Sequence, residues 1–110
     1  MKQCEIWYAD LSPIEGSEQK GFRPVVIISG DLLNKYLQIV IVCPLTTSIK
    51  GYKGNVILDP DDQNGLSKKS EIMTFHIRSI SKNRLIKKMG NITNDQLVQV
   101  KQGLEDILRY

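Results

Sequence analysis

The chain holds two uninterrupted apolar runs, Pro24-Val25-Val26-Ile27-Ile28-Ser29 and Ile39-Val40-Ile41-Val42-Cys43-Pro44-Leu45. Both are strand-length and rich in β-branched side chains, which lose rotamer freedom in a helix and pack well on a pleated surface. A run without polar alternation needs cover on both faces, so buried strands are expected at Pro24 to Ser29 and Leu37 to Leu45. Neither run approaches the roughly 20 residues of a membrane-spanning helix. Pro24 suits a strand's first position, where its missing N–H does least harm. With 110 residues there is room for one core, and residues 1–110 are expected to form a single domain. Apolar residues at 41% and charged residues at 25% are globular proportions, which argues against a disordered, collagenous or coiled-coil chain.

The remaining elements follow from local pattern. Glu5 to Asp10 roughly alternates and reads as a strand. Leu11 to Phe22, with Pro13, Gly16 and Gly21, reads as a long polar loop. Thr46 to Gly54 is a second polar loop, Asn55 to Leu58 a strand, and Asp59 to Gly65 a turn cluster. Glu71 to Ile80 reads as one strand of mixed pattern. Ser81 to Lys88 is expected to form a short helix with Ser81 as N-cap, and Met89 to Ile92 a brief strand. The ending is the clearest element: Thr93-Asn94-Asp95-Gln96 matches a capping box. Leu97, Val100, Leu104, Ile107 and Leu108 follow at helical spacing, which predicts one amphipathic helix from about Asn94 to Arg109. Short, closely spaced strands and a terminal helix give an α+β class, mainly β, built on an antiparallel barrel or strongly bent sheet.

Much familiar chemistry is missing. The chain has no phosphate-binding loop, no dinucleotide glycine fingerprint and no G-x-S-x-G elbow. Two cysteines and one histidine supply neither a disulfide framework nor a structural metal quartet, so no metal site is expected. A Cys43–His76 dyad is disfavoured because Cys43 lies mid-strand. The N-terminus lacks the apolar core of a signal peptide, so a cytoplasmic location is expected. The net charge of +3 permits a nucleic-acid partner without requiring one.

Two local features carry chemistry. Arg23 abuts the first residue of a buried strand, so its base is rigid. A guanidinium held that way suits a phosphate, and equally a carboxylate at the strand end. Thr46-Thr47-Ser48 follows the second apolar run. Hydroxyls there can donate to a phosphate oxygen or cap a turn.

Those residues sit inside longer strings. Ile6 to Pro13, Gly16-Ser17-Glu18-Gln19-Lys20-Gly21-Phe22-Arg23-Pro24 with the run to Ser29, Val40 to Thr47, and Ile77 to Leu85 resemble the MazF/PemK-type toxins of bacterial type II toxin–antitoxin systems. The resemblance covers nearly the whole chain. It implies a small, strongly curved antiparallel sheet of SH3-like barrel character with a C-terminal helix. It also implies a homodimer that cuts single-stranded RNA, including mRNA, at short sequences, without metal or cofactor. The products would carry 2′,3′-cyclic phosphate and 5′-hydroxyl ends, and the damage would stop translation and growth. A cognate antitoxin, MazE-like, acidic and partly disordered, is the implied protein partner.

Carried over by position, the resemblance makes Arg23 and Thr46 catalytic. Arg23 would stabilise the pentacoordinate phosphorane, and Thr46 would hydrogen-bond a non-bridging oxygen. Arginine is a poor general base, so Glu18 is the alternative for that role. Base reading is expected of Ser17, Glu18, Gln19 and Lys20 in the first loop and of Thr47, Ser48 and Lys50 in the second. His76, where relatives often have glutamine, can face RNA or be a satisfied structural histidine. Lys82, Arg84, Lys87 and Lys88 can track phosphates or cover a solvated helix face. Arg78 reads as structural, and Trp7 and Tyr8 as core or interface aromatics. Two other readings share the fold: a CcdB-like gyrase poison, which would not need Arg23 with Thr46, and an inactive relative that only binds RNA or antitoxin.

Overall fold

The two apolar runs pair with each other. Val25 lies opposite Pro44, Val26 opposite Cys43 and Ile27 opposite Val42, antiparallel. In a computed structural model, which describes residues 1–12 and 21–110, they are strands β2 (Phe22–Ile27) and β3 (Ile39–Thr46). The other strands are β1 (Glu5–Asp10), β4 (Val56–Leu58), β5 (Ser70–Ile72), β6 (Arg78–Ser81) and β7 (Leu85–Asn91). Two α-helices, α1 (Asp31–Tyr36) and α2 (Asn94–Arg109), and two 3-10 turns complete the described elements. The strands form one curled antiparallel sheet in the order β4-β5-β3-β2-β1-β7, with β6 on the first half of β3.

The continuous apolar pattern of β2 and β3 has a direct cause: both strands are covered on both faces. Val26, Cys43 and Leu45 belong to one core with Ile6, Leu58, Ile72 and the α2 residues Leu97 and Val100. Val25, Ile27, Val40 and Val42 belong to a second, with Ala9, Ile80 and Leu85. Alternate residues enter opposite cores, as the two-residue strand period demands.

Residues 71–80, read from sequence as one strand, are two strands with a 3-10 turn (Thr74–His76) between them. Pro44 explains the break. Its carbonyl accepts the Met73 N–H at 2.9 Å, so its nitrogen, which has no hydrogen, faces the same side. The ladder therefore runs Ile39–Val42 with β6 and resumes at Leu45–Thr46 with β5. The turn fills the gap and carries Phe75 and His76 out to solvent.

Helix α2 keeps its expected bounds, and both halves of its capping box form. Gln96 N–H donates to Thr93 Oγ1 at 3.1 Å, and Thr93 N–H donates to Gln96 Oε1 at 2.8 Å. Its buried face is Leu97, Val100 and Gly103, whereas Ile107 is 39% and Leu108 85% exposed. The tail of the apolar stripe outruns the sheet it packs on. The short helix expected at residues 81–88 is only a 3-10 turn (Lys82–Arg84), capped by Ser81 as expected, after which the chain enters β7. Strand β7 exists because β1 needs a second neighbour: Trp7 faces Lys88 and Ile6 faces Gly90. Three of the four basic residues there are tied down. Lys82 donates to Asn34 O, Arg84 donates to the carbonyls of Asp10 and Ser12, and Lys88 pairs with Glu5 at 3.3 Å. Trp7 Nε1 donates to the same Glu5 at 2.9 Å, and Tyr8 stacks on Phe22. Among the described residues, no helix is long and apolar enough to cross a membrane.

Candidate active site

Register places the two singled-out residues together. The β2–β3 pairing, continued two residues beyond Val25–Pro44, sets Arg23 opposite Thr46. On the other side of β3, Thr46 lies opposite Glu71 of β5. Directly opposed residues on antiparallel strands share a face. Arg23, Thr46 and Glu71 therefore form a row across three strands and line one pocket of about 400 Å³. Arg23 is half-buried, and its Nη1 donates to Leu45 O at 3.4 Å. Thr46 Oγ1 accepts the Ser48 N–H at 3.1 Å, which leaves its own hydroxyl hydrogen free to donate. Turn capping and a donor role thus coexist at Thr46.

Glu71 is 1% exposed, an unusual position for a carboxylate. Its Oε1 accepts the N–H groups of Lys50 at 2.8 Å and Gly51 at 3.2 Å, and its Oε2 accepts Tyr52 N–H at 3.1 Å and Asn55 Nδ2 at 3.0 Å. Burial pushes its pKa up, but these donors, Lys50 N–H foremost, outweigh it and hold the carboxyl below its usual value. Asn55 is fixed in turn. Its Oδ1 accepts from Thr74 N at 3.0 Å and from Thr74 Oγ1 at 2.9 Å. Gly51, at φ 70°, supplies the left-handed residue that lets three successive N–H groups converge.

Residues 50–52 thus arch around the Glu71 carboxylate at the pocket's edge. Lys50 and Tyr52 line it, with Phe75 and His76 from the 3-10 turn. Phe75 meets Tyr52 edge-on at 5.6 Å and His76 at 4.7 Å between ring centres. Arg23 and Lys50 make the walls cationic, while the Glu71 charge is taken up by amides. The combination of cations with flat, half-exposed rings suits a strand of phosphates and unstacked bases.

Of the second-loop candidates, Ser48 and Lys50 line this pocket, as does His76, and Thr47 is exposed beside it. Ser17, Glu18, Gln19 and Lys20 lie outside the described residues. Sequence reasoning passed over Glu71, Asn55, Tyr52 and Phe75. The available signal was a glutamate beside Ile72 and Met73 in an expected strand, a charge that had to find partners. Among the described residues, no three His, Cys, Asp or Glu side chains converge as metal ligands would.

Comparisons with known proteins agree on one family. A family model described as PemK-like, MazF-like toxin of type II toxin–antitoxin system matches residues 2–108. Endoribonuclease MazF of Staphylococcus saprophyticus is 37% identical over 106 residues, 96% of this chain and 88% of that protein. Crystalline MazF from Deinococcus radiodurans superposes with a TM-score of 0.84 at 25% identity, covering 100% of this chain and 97% of the other. A chain of a MazE–MazF crystal structure from the same organism superposes at 0.80 with 27% identity, covering 98% of this chain and 95% of the other. The curled sheet with its C-terminal helix is the fold of those structures, and the chain belongs to the PemK-like, MazF-like toxin family of type II toxin–antitoxin systems.

Proposed function

We propose that this chain is the toxin of such a pair: a sequence-specific, metal-independent endoribonuclease acting on single-stranded RNA in the cytoplasm. The observation that carries the reading is Arg23 and Thr46, on adjacent strands, lining one pocket together with Lys50, Tyr52, Phe75 and His76. The family's endoribonucleases supply the class of reaction.

The nucleophile is the substrate's own ribose 2′-OH. It gives up its proton to a base and attacks the adjacent phosphorus. The bond from phosphorus to the 5′-oxygen then breaks, and that oxygen takes a proton. A 2′,3′-cyclic phosphate and a 5′-hydroxyl result, and because the nucleophile is internal no metal-activated water is needed. Arg23 neutralises the charge that grows on the equatorial oxygens, where a fixed guanidinium acts on the transition state more than on the ground state. Thr46 donates its hydroxyl hydrogen to a non-bridging oxygen while Ser48 N–H holds the threonine oxygen in place. Glu71 is not the base, since four donors occupy its two oxygens. Glu18 is our candidate for that role. Ser48, Lys50 and His76 read bases or track the backbone from the rim, with Thr47 beside them. Ser17, Gln19 and Lys20 do so from the first loop.

The active form is a homodimer of single-domain chains. The antitoxin is acidic and partly disordered, because an extended acidic segment matches a cationic channel built for a polyanion. The test is a digest of a long, mostly unstructured RNA in EDTA, with Arg23→Ala and Thr46→Ala alongside. Cutting at one recurring short sequence, lost in both variants, is expected. Folded wild type that leaves several RNAs intact, or either variant cutting at the wild-type rate, overturns the reading.

A further inference from the structure

We propose that Glu71 is a positioning residue for RNA binding: its buried carboxylate holds the 50–52 arch in the shape that places Lys50 and Tyr52 against the bound strand. This rests on the ribonuclease reading of the same pocket.

Residues 50–52 belong to a loop and make no strand pairs of their own. An arch of three successive N–H groups pointing inward is an anion cradle, and left empty it would attract solvent or an RNA phosphate. Here the chain fills the cradle itself. Both Glu71 oxygens are used, each by two donors. Asn55 carries the order on to Thr74, which is fully buried and outside the pocket lining. The network therefore ties a polar loop to the sheet at the point where β5 meets β3. Arg23 and Thr46 lie outside these side-chain bonds: Arg23 is paired with Ala9 of β1, and Thr46 with Glu71 of β5 through the backbone, which Glu71→Gln leaves unchanged. Loss of the carboxylate should loosen the arch and leave the reacting centre in place.

The predicted signature is a split between binding and rate. Glu71→Gln keeps one carbonyl oxygen for Lys50 and Gly51. It turns an NH2 group toward the donors of Tyr52 and Asn55, so half of the cradle is lost. Asn55 cannot flip to compensate, because its own oxygen is bound to Thr74. Affinity is measured by fluorescence anisotropy with an RNA oligonucleotide carrying one 2′-deoxyribose at the cut site. Single-turnover cleavage of the all-ribose oligonucleotide is measured at saturating protein. The expected result for Glu71→Gln is affinity down about tenfold with a saturating rate within threefold of wild type, whereas Arg23→Ala abolishes the rate. Thr74→Val, which removes the hydroxyl's bonds to Asn55 at 2.9 Å and to the Gly54 carbonyl at 3.4 Å while the Thr74 N–H to Asn55 remains, should shift affinity the same way by a smaller factor. It keeps the test valid if Glu71→Gln fails to fold.

Unchanged affinity in folded variants overturns the proposal. So does a lost saturating rate with intact affinity, which would place Glu71 in the chemistry. If the wild type neither binds nor cuts RNA, the ribonuclease reading itself has failed and the inference falls with it.

Discussion

Gly103→Ala should destabilise this protein, although glycine to alanine inside a helix ordinarily stabilises. The substitution in α2 gains about 0.8–1.0 kcal/mol of intrinsic helix preference. Against that stands one contact. A Cβ built on Gly103 would lie 2.0 Å from the Gly54 carbonyl oxygen and 3.0 Å from its carbon. Ordinary contact begins near 3.4 Å, so helix and loop must part by more than an ångström. The obstacle is backbone, which no rotamer change can move aside. Overpacking of this kind costs about 1–3 kcal/mol, and a backbone clash belongs at the upper end. The expected net loss is about 1–2 kcal/mol, or a melting point lower by roughly 5–10 °C for a domain of this size. Thermal and urea denaturation followed by circular dichroism measure it, with the exposed Gln99→Ala as the helix-preference control. The displaced Gly54 precedes Asn55, so KM for RNA should rise as well. A Gly103→Ala protein that melts at or above wild type refutes the reasoning.

Other perturbations test separate parts of the structure. Thr93→Ala removes the N-cap of α2 and should cost about 1 kcal/mol, within the usual 0.5–2 range, read by the same denaturation experiments. Cys43 is fully buried and its thiol is pushed up to about 12 by burial, so iodoacetamide at neutral pH should leave it unmodified until the protein is denatured. Acid should act through Glu71. Its folded pKa lies below the ordinary 4.5, so the unfolded chain takes up the proton first as pH falls. The stabilisation is complete above the ordinary value and is lost as pH drops through the folded one. The melting point should therefore hold steady from about pH 7 to about pH 5 and fall below that. The fall should be shallower in Glu71→Gln, because Glu5 and Asp10, also held below their usual values, still contribute to it.

What was legible in the sequence had short-range causes. The α2 bounds follow from a capping box and a spacing contained in 16 residues. The two-sided burial of β2 and β3 follows from unbroken β-branched runs. The break between β5 and β6 was hidden because its cause, Pro44, acts across the ladder, some 30 residues away in sequence. Helix α1, with six residues, is too short for a period to show, and it is held by tertiary contacts: Gln3 N–H on Asp31 and Ser29 on the buried Asn34. Residues 85–91 show no clean alternation, and their pairing with β1 decides their conformation. At the site, Arg23 and Thr46 stood out through local strings and a family resemblance. The Glu71–Asn55–Thr74 network did not, because its members meet only after the sheet has set its register.

The central claim is that the RNA supplies its own nucleophile within a pocket built on Arg23 and Thr46. Its most direct test takes one oligonucleotide that the wild type cuts and replaces the ribose at the cut site alone with 2′-deoxyribose. The account predicts binding without cutting, and a 2′,3′-cyclic phosphate on the all-ribose product in EDTA. Cleavage of the 2′-deoxy oligonucleotide at the same bond would contradict it.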